Sequence, residues 1–306
     1  MNLEPSGFSR KAADDWAEAG EYIEAEHGTA LERQAASAAT ILIIRLKRMV
    51  TVDFLDQYPN LKVVVSATTG LDHIDLEALE VRNIRLVSLR GETDFLASIP
   101  STAEHAFGLM LALLRNTTLA HNAVLAGSWD RDAFRGRQLY QRNIGLVGFG
   151  RTAKMLAEYA KVFGANVGYC DPYIEEANQF SRFDTLEKLI EHSEIISIHV
   201  HLNDETRNLI GRNLDRADNK PRYLVNTSRG AIVDEDAVVE LVRAGAVAGV
   251  AADVLRGELI DLSKNPLIMA AKEGYNIIVT PHVGGGTIDA MNACEEFIAR
   301  KCLGEL

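Results

Sequence analysis

"IGLVGFGRTAKMLAEYAKVFGANVGYCDPY", residues 144–173, runs an apolar strand into Gly148-Phe149-Gly150 and then into a helix. Gly148 permits the tight turn, and Gly150 lets a pyrophosphate approach the backbone. The third position of this pattern needs a small residue where helix meets strand; Ala153 stands there in place of glycine. The helix opening with Arg151 and Thr152 offers phosphates its free N–H groups and the positive end of its dipole. A second strand, "NVGYC", ends beside Asp171, 21 residues beyond Gly150 (171 − 150). An acid at about 20 residues is spaced to accept hydrogen bonds from an adenosine ribose. The unit predicts a dinucleotide site. Its carboxylate predicts NAD over NADP, whose 2′-phosphate it would repel. An ordinary strand–turn–helix with a capping Asp is the alternative that this context outweighs.

Working outward, short apolar runs recur along the chain: "ILII" (41–44), "KVVVSA" (62–67), "IRLVSL" (84–89), "NIGLVG" (143–148), "NVGYC" (166–170), "EIISIHV" (194–200), "RYLVNT" (222–227), "AVAGVAADV" (246–254) and "NIIVT" (276–280). Most are too continuously apolar for half-exposed strands, so they predict strands buried on both faces. Helix-like segments such as "RTAKMLAEYAKVFG" and "EDAVVELVRAG" lie between them. This alternation predicts an α/β chain with parallel sheets.

One long helix, "IPSTAEHAFGLMLALLRNT", divides the series; Ser101 three residues before Glu104 gives it a capping-box pattern. His105 and Met110 on it are read as interface and core residues. "GSWDRDAFRGRQLYQ" after it has no clear period and reads as a loop, and Asp234, Glu235 and Asp236 read as the acidic start of a later helix.

The 306 residues exceed what a single core supports, which predicts two domains. A net charge of −11 argues against nucleic-acid or anionic-membrane partners. Cys170, Cys294 and Cys302 form no CxxC pair and no metal-like spacing, which points to a reducing compartment. No run is long enough for a membrane span, and the N-terminus lacks the order of a signal peptide. A soluble cytoplasmic protein is the expectation. His199 and His201 would share one strand face, but no third metal ligand accompanies them.

Three later segments end a strand on polar residues: "LVNTSRGAIVDEDAVV", "GVAADVLRGE" and "VTPHVGGGT". Ligands of open parallel sheets bind at the carboxyl ends of strands, so Arg229, Asp253, Glu258 and His282 would converge on the edge that holds the cofactor. Arginine offers a planar fork for a carboxylate. Histidine with a carboxylate partner exchanges protons near neutral pH. Taken alone, "TPHVGGG" also reads as a strand end followed by a flexible loop.

The chain resembles the D-isomer-specific 2-hydroxyacid dehydrogenase family, as a phosphoglycerate dehydrogenase-like short form without a regulatory domain. The likeness runs through "TTGLDHIDLEAL" (68–79), "TAEHAFGLMLALLR" (102–115), "GLVGFGRTAKMLA" (145–157), "HVHLNDETRNLI" (199–210), "NTSRGAIVDEDAVV" (226–239), "AADVLRGE" (251–258) and "TPHVGGGT" (280–287). It implies two Rossmann-like or flavodoxin-like parallel-sheet domains with a cleft between them. The substrate domain would take residues 1–98, completed by 285–306, and the NAD-binding domain 99–284. Hinges would fall near Leu96–Ser101 and Gly284–Gly286.

The resemblance makes His282 the acid/base and Glu258 the partner that keeps it protonated. Arg229 would clamp the substrate carboxylate, aided by the backbone of Thr69 and Gly70. The cofactor would be held by Gly148, Gly150, Arg151, Thr152, Asp171, His201, Thr206, Thr227, Ser228, Asp253 and Gly285, with Asp253 at the nicotinamide end. The partners implied are a small 2-keto or 2-hydroxy acid and a second copy of the chain, paired near Phe107–Leu114. A non-catalytic NAD-sensing scaffold of the same fold is the alternative.

Several positions depart from the family pattern. His201 replaces a usual proline, Glu258 lacks the proline that commonly follows it, and "LDRADNKPRY" is a more polar, longer turn. The first strand of the family would be short or absent here. Arg45 in "IIRLKR" is read either as near the substrate entrance or as part of a surface basic cluster.

Overall fold

The computed structural model describes the chain apart from residues 27, 176–178, 216–221, 259 and 306. Most of the polar turn at 214–223 therefore lies outside the described residues. The chain forms two compact units, Met1–Ile99 with Gly286–Leu306, and Pro100–Gly285.

The first unit is built on three parallel strands in the order β1 (Ile41–Ile44), β2 (Val63–Ser66) and β3 (Arg85–Ser88). Side chains alternate across the sheet because successive strand residues point to opposite faces. Leu42, Ile44 and Val64 pack on helices Val52–Leu55 and Leu76–Val81, while Ile43, Val63, Val65 and Val87 pack on Arg10–Ala19 and Ile288–Glu305. Thr51 and Asp75 cap two of these helices, each side chain accepting the N–H of the third helical residue. The N-terminal segment adds only isolated bridges, Asn2 to Ile43 and to Glu24. Arg45, 13% exposed, donates to Glu295 Oε1 (3.2 Å) and to the carbonyls of Glu4 and Ser6, so the surface-cluster reading fails.

The second unit holds seven parallel strands: β4 (Asn143–Val147), β5 (Asn166–Cys170), β6 (Ser181–Arg182), β7 (Ile195–Ile198), β8 (Arg222–Asn226), β9 (Val247–Ala252) and β10 (Ile277–Val279). Their order is β10-β9-β8-β7-β4-β5-β6. One face buries Ile144, Leu146, Tyr169, Ile195, Val225 and Ala251 under helices Ser101–Leu114 and Arg151–Val162; the other buries Val147, Ile196, Ile198, Leu224 and Val250. Burial on both faces explains the unbroken apolar runs. Truncating one such residue to alanine costs about 2–5 kcal/mol.

The chain leaves β4 toward β5 and β6, then returns to β7 on the other side of β4. Strand order therefore reverses between β4 and β7, and a crevice opens at their carboxyl ends. The helix Ser101–Leu114 differs from the capping-box expectation. Pro100 is its N-cap and its carbonyl takes the first N–H groups, which puts Ser101 inside the first turn with no side-chain cap bond.

Candidate active site

The crevice is shaped by glycine. Gly148 has φ of 85°, a conformation open to glycine. A Cβ there would lie 2.8 Å from the His199 carbonyl oxygen at the end of β7. Beside it, Gly150 has open space on the side a Cβ would fill, and it begins the helix Arg151–Val162 without any side-chain cap bond. Arg151 and Thr152, both half-buried, open that helix. Ala153 is fully buried, as close helix–strand packing requires.

Asp171 closes one side of the crevice. Its Oδ2 accepts the Phe149 N–H at 2.7 Å, within the glycine turn, and Oδ1 accepts from Tyr173 (2.8 Å) and Ile174. On the other side, Thr227 Oγ1 is buried with no hydrogen-bond partner among the described residues. Its neighbour Ser228 donates its hydroxyl to the Ile198 carbonyl at 2.8 Å. A glycine cradle, a helix start without a side-chain cap, a strand-end carboxylate and an orphaned hydroxyl together fit a dinucleotide. His201 is exposed, and Thr206 spends its hydroxyl inside the same turn, donating to the His201 carbonyl at 2.7 Å and accepting from Asn203. His199 Nε2 bonds Ser197 Oγ at 2.8 Å, and desolvation pushes its imidazole down to about 4.

The ends of β8, β9 and β10 bring the remaining side chains together. His282 Nδ1 meets Glu258 Oε1 at 2.7 Å, both side chains being about one-quarter exposed. Burial alone would push the Glu258 carboxyl up. The His282 hydrogen bond and charge, the Leu255 N–H and the Arg229 guanidinium together hold it below the ordinary value. Arg229 therefore acts on the same carboxylate from the turn after β8, where Asn226 bonds the backbone of Ser228 and Arg229. Gly230 lets that turn lie against the Glu258 loop, because a Cβ would collide with the Leu255 carbonyl carbon and the Arg256 nitrogen.

Asp253, 2% exposed, organises the segment after β10. Its Oδ1 accepts the Thr280 hydroxyl (2.6 Å) and the Val283 N–H (2.9 Å), and its Oδ2 accepts the Gly284 N–H (2.7 Å). His282 within this segment is left-handed, with φ of 54°. Gly285 follows, 4.0 Å from Thr102 Oγ1 at the position a Cβ would take. In the first unit, Thr69 and Gly70 lie in the turn after β2, where Thr68 Oγ1 donates to the Gly70 carbonyl at 2.9 Å.

Sequence reasoning passed over three residues of this site. His105 Nε2 lies 3.0 Å from Thr280 Oγ1 and 3.2 Å from Asp253 Oδ1, which places it in the site. Thr280 was visible only as the last residue of an apolar run. Glu235 stands in the first turn of its helix, as the acidic start predicted, and is fully buried there; it accepts from the Arg256 N–H and from Asn265 Nδ2, both at 2.7 Å. Burial pushes its carboxyl up. Asp234 does cap the helix Glu235–Arg243.

Residues 107–284 match the family model described as D-isomer specific 2-hydroxyacid dehydrogenase, NAD binding domain. A hydroxypyruvate reductase of Thermotoga maritima is 32% identical, over 87% of this chain and 84% of its own length. A D-3-phosphoglycerate dehydrogenase of Methanocaldococcus jannaschii is 34% identical over 86% of this chain, which spans only 49% of that relative. The solved NAD-dependent formate dehydrogenase of Staphylococcus aureus, in complex with NAD, superposes with a TM-score of 0.79 at 27% identity, covering 94% of this chain and 85% of that one.

Proposed function

The chain belongs to the D-isomer specific 2-hydroxyacid dehydrogenase family, and from that premise we propose an NAD-dependent oxidoreductase acting at C2 of a small 2-keto or D-2-hydroxy acid. The observation that carries this reading is the His282–Glu258 pair. With Nδ1 engaged by the carboxylate, His282 has Nε2 left to give a proton to a keto oxygen and take it back in the reverse direction. Glu258 stays ionised and so stabilises the imidazolium that reduction needs.

Arg229 clamps the substrate carboxylate, a task suited to its planar fork. For Thr69 and Gly70 the proposal is the same chemistry through backbone N–H groups. Gly148, Gly150, Arg151 and Thr152 would hold the dinucleotide, and Asp171 would take its adenosine ribose; Thr227 Oγ1 is a donor awaiting an acceptor there. When bound there, NADH would supply the hydride that C2 takes up. Asp253 keeps one further lone pair on Oδ2 for the nicotinamide end, its other bonds being spent on the 280–284 segment and on His105. His201, Thr206, Ser228 and Gly285 would complete the cofactor's surroundings. On this reading Pro100–Gly285 is the cofactor unit and the other is the substrate unit.

The test is loss of NADH absorbance with glyoxylate, hydroxypyruvate, pyruvate and 3-phosphohydroxypyruvate. Turnover of at least one supports the reading. NADH binding without turnover of any of them would favour a sensing scaffold. The proposal includes a cytoplasmic homodimer. Among the described residues no helix is long and apolar enough to cross a membrane. The partly exposed Phe107 face packed with Tyr159 and Phe163 offers apolar surface for pairing, which sedimentation at micromolar concentration would test.

A further inference from the structure

Two imidazole–carboxylate pairs touch the segment from Thr280 to Gly284, and the proposed mechanism uses only one. The other joins His105, on the helix Ser101–Leu114, to Asp253. Building on the dehydrogenase reading, we propose that His105 is a positioning residue for His282, acting through Asp253 and Thr280.

The hydrogen-bond directions are fixed by chemistry. Asp253 Oδ1 takes the Thr280 hydroxyl proton at 2.6 Å, so Thr280 Oγ1 can only accept from His105. The carboxylate also only accepts. Both neighbours of His105 Nε2 are therefore acceptors, and Nε2 carries the proton shared between them. From Asp253 the bonds run onward into the backbone. Its Oδ1 holds the Val283 N–H, its Oδ2 the Gly284 N–H, and its carbonyl the His282 N–H at 2.8 Å. Three successive N–H groups thus end on one residue.

That arrangement sets His282 in its left-handed conformation, which a side-chain-bearing residue adopts only where its surroundings impose it. The fit is close, since a Cβ on Gly284 would lie 2.9 Å from Asp253 Oδ2 and 3.6 Å from His105 Cδ2. Without His105, a buried anion loses a donor, and Thr280 loses the group that orients its hydroxyl. Asp253 then has reason to redistribute the bonds that aim His282 at Glu258.

The test compares His105→Leu with His105→Gln in the full chain. Leu should lower kcat for glyoxylate reduction by about 10–100-fold with KM changed less than about threefold, the pattern of a contact that matters in the transition state. Gln, whose amide N–H can reach the same two oxygens, should restore most of the rate. A readout independent of turnover is the imidazole ¹⁵N–¹H spectrum: the His282 Nδ1–H signal should persist in wild type and Gln and broaden in Leu. A Leu variant that keeps both kcat and this signal would overturn the proposal. So would Leu and Gln losing rate equally with an equal drop in melting temperature, which marks plain packing. Should wild type reduce no 2-keto acid, the dehydrogenase reading falls, and the imidazole spectrum decides the positioning role by itself.

Discussion

His282 presents Nδ1 to Glu258 Oε1 at 2.7 Å from a left-handed backbone, and the carboxylate it meets is held below its ordinary protonation range. Glu258 therefore remains charged wherever the imidazolium is needed. Replacing His282 by Asn should slow keto-acid reduction by roughly 10²–10⁴-fold. Glu258→Gln removes the charge that favours imidazolium, so reduction should fail at lower pH than in wild type and its optimum should move downward. The pH profile of kcat/KM checks this, and an unmoved profile would exclude the pairing as a catalytic one.

Arg229 sits in a turn braced by Asn226 and donates to the Ser228 carbonyl at 2.7 Å. Arg229→Lys keeps the charge and loses the fork. A bidentate contact to a carboxylate is among the stronger hydrogen-bonded pairs, so kcat/KM should drop by about 10–100-fold or more while NADH affinity is mostly kept. Equal losses of both would assign Arg229 to the cofactor instead.

On the proposed reading, Asp171 sets cofactor choice. A 2′-phosphate would meet this carboxylate at close range, where like charges cost several kcal/mol, so NADH should be preferred over NADPH by at least about a hundredfold. Asp171→Ala should narrow the gap mainly by weakening NADH. It should also loosen the glycine turn, because Oδ2 holds the Phe149 N–H. Equal use of the two cofactors by wild type would remove Asp171 from the ribose.

His199 predicts a pH dependence of stability. Desolvation lowers its imidazole from 6.5 to about 4, so between those values the unfolded chain binds a proton that the folded chain refuses. The folded state is thus fully favoured above about 6.5 and loses stability as pH falls toward about 4, with a slope of up to about 1.4 kcal/mol per pH unit. Urea unfolding at pH 7, 6 and 5 should show a shallower slope for His199→Gln than for wild type. Parallel slopes would discard the assignment.

What could be read from the sequence follows from where the signal is physical. All nine apolar runs became strands because burial on both faces demands unbroken hydrophobicity. β6 escaped notice because Ser181–Arg182 is a two-residue, exposed edge strand with no apolar content. Ser101 misled because Ser three before Glu fits a cap equally well one position inside the helix, and Pro100 decided the matter. His105 and Glu235 were invisible as site residues: their partners, Asp253 and Arg256, are 148 (253 − 105) and 21 (256 − 235) positions away, and nothing local marks either contact. The strand-end residues Arg229, Asp253 and His282 were legible because a parallel sheet delivers all its carboxyl ends to one edge.

Gly230 carries a consequence for anyone altering the specificity of this protein. The absence of a side chain there seats the Arg229 turn directly on the backbone of Leu255 and Arg256, so neither loop can shift without displacing the other. Substitutions at Arg229 and Glu258 should accordingly show epistasis, with a coupling of roughly 0.5–3 kcal/mol in a double-mutant cycle. A library that varies one position and freezes the other will sample mostly misfitted pairs, whereas one that varies both around an untouched Gly230 explores combinations the fold can accept.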